Sequence, residues 1–186
     1  MRARIHIGQV LFALYPLLIF AGLQFLDPRS VALLVLAALA LRYRRHTLRI
    51  LADFSVAQFV ALGVAPLLGL AVLATNSEVL LRLYPAAISA SMLILFGVTL
   101  VHPPSMVERF ARMQQEELSP ESVRYTRRVT LAWCAFFVLN GAIAAWTAIF
   151  ASREAWALYN GFIAYLAMGT LFAGERLLRR RLLPAA

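Results

Sequence analysis

The sequence predicts an all-α polytopic membrane protein, a six-helix transmembrane bundle with one amphipathic helix in the cytoplasmic interface. Three observations carry this expectation. Of the 186 residues, 62% are hydrophobic and only 15% are charged, where a soluble domain is closer to half apolar and a quarter charged. The apolar residues fall in runs long enough to span hydrocarbon, where about 20 helical residues suffice. The charges gather between these runs, as they must where lipid offers no partner for a backbone amide or a charged head.

The spans are taken in order as a single transmembrane domain over residues 1–186. Span one covers about 5–26: Ile5 to Leu26 is free of charge and contains Pro16, and no small-x-small cleavage site precedes Asp27. It therefore reads as an uncleaved span and not as a secretory signal. Asp27 and Pro28 suit an N-cap and a first helical position, opening span two at about 28–43. Its charge-free core, Ser30 to Leu41, has 12 residues, and Arg29 and Arg42 can lengthen it by sending their heads to the two interfaces. Span three is about 54–75, span four about 79–101, span five about 129–151 and span six about 155–174.

Charge decides whether span two crosses. All 18 basic residues are arginine, and the net charge is +9. With six spans and a cytoplasmic N-terminus, 15 arginines face the cytoplasm, and only Arg29, Arg82 and Arg153 lie outside. That is the asymmetry of the positive-inside rule; leaving span two uncrossed would move four arginines out and invert the later loops. The expected orientation thus has both termini cytoplasmic. The same arginines anchor segments toward anionic headgroups, and outside the apolar segments no nucleic-acid reading module remains.

The loop 102–128 has structure of its own. Ser105 and Glu108 have capping-box spacing, opening a helix expected over Ser105 to Leu118. Met106, Val107, Phe110 and Met113 share one face of it, and Glu108, Arg109, Arg112 and Glu116 the other; such a helix lies in an interface. Ser119-Pro120-Glu121 then begins a helix that can run through Arg124, Tyr125, Arg127 and Arg128 into span five. A short echo, Leu14-Tyr15-Pro16 against Leu83-Tyr84-Pro85, would relate inverted halves, as in many transporters.

Candidate functional residues fall in two groups. Within the apolar spans, Asn140 sits mid-span in five, Asn160 lies toward the outer face of six, and Gln9, Gln24 and Gln58 are scattered through spans one and three. Amides in hydrocarbon serve either helix association or a ligand. No Asp or Glu occupies a mid-span position, which argues against ion-coupled transport. At the cytoplasmic edge Asp53, His102, Arg128, Glu175 and Arg176 form a ring that either holds a phosphorylated headgroup, with arginine as paired donor, or reflects snorkelling and local pairs such as Glu175 with Arg179. Glu78 and Arg82 have the spacing of an i,i+4 pair. The chain lacks a zinc-protease motif, a nucleophile elbow and a Gly-rich phosphate loop. His102 also lacks an acid four residues on. No catalytic residue, metal or cofactor is assigned. With Cys134 the only cysteine, no intramolecular disulfide can form.

From span four onward, Phe96-Gly97, then His102-Pro103-Pro104-Ser105-Met106-Val107-Glu108-Arg109, Trp133, Phe136-Phe137, Gly141 and Trp156 form an order that resembles the bacterial intracellular septation protein A family. The chain departs from that pattern at Tyr159-Asn160-Gly161 and in its His102-Pro103-Pro104 run. Tyr84-Pro85, the stretch Arg127-Arg128-Val129-Thr130-Leu131-Ala132-Trp133-Cys134-Ala135-Phe136-Phe137, and Asn140-Gly141 also resemble bacterial membrane proteins encoded beside fatty-acid-like or aryl-polyene pigment biosynthesis genes. These resemblances imply a role near envelope lipid or polyene assembly. The expected function is a non-catalytic scaffold or lipid-interacting partner, with His102, Arg109, Arg112, Arg128 and Glu175 meeting anionic headgroups or a protein partner at the cytoplasmic face. The alternatives are a small transporter or flippase for an amphiphile using Asn140 and Asn160, and an enzyme using the His102–Glu175 edge.

Overall fold

A helix satisfies its own backbone, and apolar runs punctuated by Pro, Ser and Asp leave few other solutions. The computed structural model describes residues 15–43, 56–113 and 117–182, and every regular element among them is helical. In order these are α1 (Tyr15–Phe25), α2 (Pro28–Tyr43), α3 (Val56–Thr75), α4 (Glu78–Arg82), α5 (Tyr84–Val101), α6 (Met106–Arg112), α7 (Pro120–Phe150) and α8 (Arg153–Leu158). A π-helical turn, Tyr159–Ile163, then joins α8 to α9 (Ala164–Leu182) without a break. Asp53, Gln9 and the first part of span one lie outside the described residues.

Three helical stretches are long and apolar enough to cross a membrane: Tyr84–Val101, Pro120–Phe150 and Arg153–Arg181. Pro28–Ala37 and Pro66–Thr75 are shorter apolar stretches. The 31 residues of α7 extend about 46 Å at about 1.5 Å per residue, well beyond a hydrocarbon core of about 30 Å. The excess is its polar first turns, which carry Arg124, Arg127 and Arg128 on the outside.

Turn chemistry fixes the helix starts. Asp27 caps α2 as expected, accepting from the Ser30 amide at 3.4 Å and from the Ser30 hydroxyl. That hydroxyl holds its carboxyl below the ordinary carboxylate range. Ser77, Ser119 and Ser152 cap α4, α7 and α8 with their side-chain oxygens. Asn76, with a left-handed φ of 53°, reverses the chain between α3 and α4, an adaptable role for an amide side chain.

Two elements differ from expectation. Span four is broken at Leu83: α4 ends, and Pro85 stands in the first turn of a new helix, the position where its missing N–H costs nothing. The cytoplasmic helix is shorter than Ser105 to Leu118, ending at Arg112, and Glu117 and Leu118 are not helical. Pro120 at the start of α7 forces Ser119 to extended backbone, φ −61° and ψ 154°, so no helix can run through it. Pro66, by contrast, lies inside a continuous α3.

The interior mixes apolar and polar side chains, and the surface is rich in large apolar ones. Thr130, Thr147, Asn160, Ser89 and Ser91 are buried, whereas Leu131, Leu139, Trp146, Phe150, Leu166 and Phe172 are exposed. Exposed large apolar side chains across long helices are what a lipid solvent favours and water does not. α5 is central, with its main packing against α7 on one side and α3 on the other; α2 lies on α3, and α1 reaches from α2 to α8. Phe96 of α5 meets Trp133 and Phe137 of α7 in a cluster with Phe136, ring centroids 5.2–6.5 Å apart.

Gly141 sits at the α5–α7 crossing, where an added Cβ would stand 3.1 Å from Cβ of Ser89, while a Cβ at Gly97 meets nothing within 4 Å. Gly141→Leu is expected to lower the melting temperature in detergent, overpacking costing about 1–3 kcal/mol, with Gly97→Ala unchanged. Equal melting of both variants would show that the crossing is not tight.

Candidate functional site: a lateral groove between two long helices

The last helical rod, α8 through α9, runs antiparallel to α7, and side-chain ties fix their register. Toward the α7 C-terminus, Asn160 donates to Thr147 Oγ1 at 3.3 Å and to the Trp156 carbonyl at 2.9 Å. Midway, Tyr159 donates its hydroxyl to Asn140 Oδ1 at 3.1 Å, and Asn140 donates onward to Ser89 Oγ at 3.0 Å. At the arginine-rich end, the Tyr125 hydroxyl meets the Glu175 carbonyl at 3.1 Å and its Oε1 at 3.4 Å.

Between the last two ties the helices part. The π-helical turn closes with the Ala164 amide donating to the Tyr159 carbonyl. This i→i+5 bond inserts an extra residue and re-aims the helix beyond it. Beyond the turn α9 has little packing on α7, and the space left is a groove of about 840 Å³. Val129, Ala132 and Trp133 form its α7 wall, and Leu166, Leu171 and Leu178 much of the facing one. Small residues Ala167 and Gly174 widen it; a Cβ at Gly174 would meet nothing within 4 Å. Polar groups stand mainly at one end: Tyr125, Arg128 and Glu175, with Thr170 part-way along. An apolar cleft of this size with few convergent polar groups has the form of a small-molecule or lipid site.

The residues singled out in the sequence divide accordingly. Arg128 and Glu175 line the groove together. Arg109 and Arg112 are held locally, Arg109 Nε on the Pro104 carbonyl at 2.9 Å and Arg112 on Glu108 Oε1 at 2.8 and 3.0 Å. His102 is exposed at the end of α5, before a cis Pro103–Pro104 bond. Asn140 and Asn160 both tie α7 to the last helix, which satisfies amides in an apolar setting. Glu175 meets Tyr125, and the ion pairs among the described residues do not include Glu175 with Arg179.

α6 lies beside this end, packed on α7. Of the expected capping box the structure makes one half, the Ser105 amide donating to Glu108 Oε2 at 3.3 Å, while Ser105 Oγ is buried with no partner among the described residues. Two further amides at its start are taken by Thr99 (from Met106, 2.8 Å) and Thr130 (from Val107, 3.2 Å). The helix turns Glu108 and Ala111 inward, leaving Phe110 53% and Met113 83% exposed. Phe110 and Met113 therefore face away from the protein, while Met106 and Val107 of the same expected face are half-buried.

Sequence reasoning missed Tyr125, Trp133 and Tyr159 as site-forming residues, and it read Arg82 as part of a local pair. Arg82 is 8% exposed, and its Nη2 lies 2.7–3.2 Å from the carbonyls of Thr147, Ala151 and Ser152. Its guanidinium also stands over the Trp156 ring at 5.8 Å. Glu78, 3.9 Å from Arg82, is bound more closely by Arg153 at 2.5 and 2.7 Å. The adjacency of Tyr159 and Asn160 one turn after Trp156 was the available signal for the ties.

No family of known proteins, curated protein or solved structure matches this chain.

A double-mutant cycle on Ser89→Ala and Asn140→Ala, read by unfolding in mixed micelles, should give a coupling of roughly 0.6–1.7 kcal/mol, the range for such bonds in membrane proteins. Zero coupling would mean that the mid-span tie does not form.

Proposed function

We propose that this protein is an inner-membrane, lipid-interacting protein of envelope biogenesis that holds an amphiphile in the groove between α7 and α9. The observation that carries this reading is the groove itself: an apolar cleft opening sideways between two long apolar helices, with its charged groups gathered at one end. A hydrocarbon chain can enter such a cleft from the bilayer without passing through water. The resemblances to septation protein A and to proteins encoded near fatty-acid-like and aryl-polyene genes suit an amphiphile in this position.

In this reading the chain crosses six times. α4 and α5 together make span four, α2 is stretched by its flanking arginines, and both termini lie in the cytoplasm. The positive-inside asymmetry supports that orientation, and it places the mouth of the groove at the cytoplasmic leaflet. α6 lies in the same interface, with Phe110 and Met113 toward lipid and Arg109 and Arg112 at headgroup level. A protein partner would dock on this arginine-rich face.

The transporter reading rests on the prolines and the two amides. It draws less support, because Asn140 and Asn160 spend hydrogen bonds on neighbouring helices rather than lining an open polar path.

Two measurements test the proposal. In spheroplasts, a cysteine at position 184 in a Cys134→Ala background should be protected from an impermeant maleimide, and one at position 153 should be labelled; the reverse pattern would overturn the orientation. Lipids co-purifying in mild detergent should include a stoichiometric amphiphile, reduced several-fold in Ala167→Trp, where the indole fills the groove. Unchanged recovery in a folded variant would refute the groove as the lipid site.

A further inference from the structure

Resting on the groove reading, we infer that the occupant is an amphiphile with an anionic oxyanion head, seated with its head on Arg128 and a hydrocarbon chain running inward past Trp133. Length, charge and polarity each contribute to the assignment.

The two ties that bound the groove, Tyr125–Glu175 and Asn140–Tyr159, are 15 residues apart along α7, or about 22 Å at about 1.5 Å per residue. Glu175 to Ile163 along the facing helix is about 18 Å on the same rise, with both residues lining the groove. One leaflet contributes about 15 Å to a core of about 30 Å. At about 18–22 Å the groove is longer than one leaflet and shorter than the hydrocarbon core, so it does not reach across the membrane, which suits a chain entering from one side and stopping.

The mouth is strongly cationic. Arg128 lines it, Arg124 and Arg127 precede it on α7, and Arg176 and Arg179 follow on α9, against Glu175 and Glu121. Glu175 is engaged by the Tyr125 hydroxyl, whereas Arg109 and Arg112 of the neighbouring helix are already held by Pro104 and Glu108. Arg128, exposed and lining the groove, is therefore the guanidinium placed to meet an incoming phosphate or carboxylate in paired fashion.

Trp133 supplies a direct readout, since it lines the groove and brominated chains quench tryptophan on contact. Of the others, Trp146 is exposed and Trp156 is 1% exposed, so Trp146→Phe leaves Trp133 as the reporter accessible to chains. The full-length Trp146→Phe protein would be placed in phosphatidylcholine vesicles. Dibrominated stearate, lysophosphatidate or lysophosphatidylcholine, sharing one brominated chain, would then be titrated in. The two anionic probes should quench Trp133 at about tenfold lower mole fraction than the zwitterionic one, as one charge-assisted hydrogen bond allows. Comparing the two anionic arms tells a phosphate head from a carboxylate. Arg128→Gln should erase the preference, and Arg180→Gln, which removes an equal charge outside the groove, should keep it.

Equal quenching by all three probes would overturn the anionic assignment while leaving a lipid-filled groove. A preference that survives Arg128→Gln would place the head elsewhere and also overturn it. Absence of Trp133 quenching by any probe, with Trp146 quenched in the unsubstituted protein, would refute the groove reading along with this one.

Discussion

Arg82 is a buried cation in an apolar assembly, and the arrangement of the last three helical segments follows from how it is satisfied. The end of α7 carries the negative end of a long helix dipole. Arg82, delivered from α4, meets that end at Thr147, Ala151 and Ser152. Its own carbonyl accepts from the Trp156 indole at 2.9 Å, and its guanidinium lies over the same ring. One residue thereby joins α4, the end of α7 and the start of α8. Glu78 and Arg153 close the same corner, with Arg153 reaching the Leu23 carbonyl of α1 at 3.3 Å. A buried charge left unpaired is so costly that these elements have little freedom to separate.

With that corner fixed, the rod from Arg153 to Leu182 can vary only along its length. Asn160 and Tyr159 hold its first turns to α7 and, through Asn140 and Ser89, to α5. The π-helical turn follows at once, and past it the packing thins until Tyr125 catches Glu175. A groove bounded by ties at both ends is wide where no side chain spans it, and its walls are apolar because both helices are apolar over most of their length. Its placement beside α6 is also determined by polar bonds, since Thr99 and Thr130 take amides at the start of that helix. The groove and α6 thus meet at one arginine-rich end.

Helix positions and caps were legible from local chemistry. Asp27-Pro28, Ser105 with Glu108, and Ser119-Pro120 mark starts whose side-chain bonds the structure makes. The limits of that reasoning appear at Pro85, which starts a new helix and so divides a segment that hydropathy alone joins. The faces of α6 could not be ordered from periodicity alone: an apolar stripe faces a protein core in water but can face outward in a membrane, and Glu108 turning inward is a tertiary outcome.

The sequence by itself determined that the chain is helical, where several helices begin, and that its charge is gathered at the ends of apolar runs, because these depend on neighbours within one or two turns and on the cost of burying charge. Only the tertiary structure decided that Arg128 and Glu175 share a groove with Trp133, that Asn140 and Asn160 both bind the last helix to α7, and that Arg82 caps a helix some 65 residues away in sequence. Those pairings depend on the rotation and register of helices about their axes. Hydropathy constrains rotation weakly where lipid surrounds the bundle, since an apolar side chain is nearly as well placed outside as in. A handful of hydrogen-bonding side chains sets it instead.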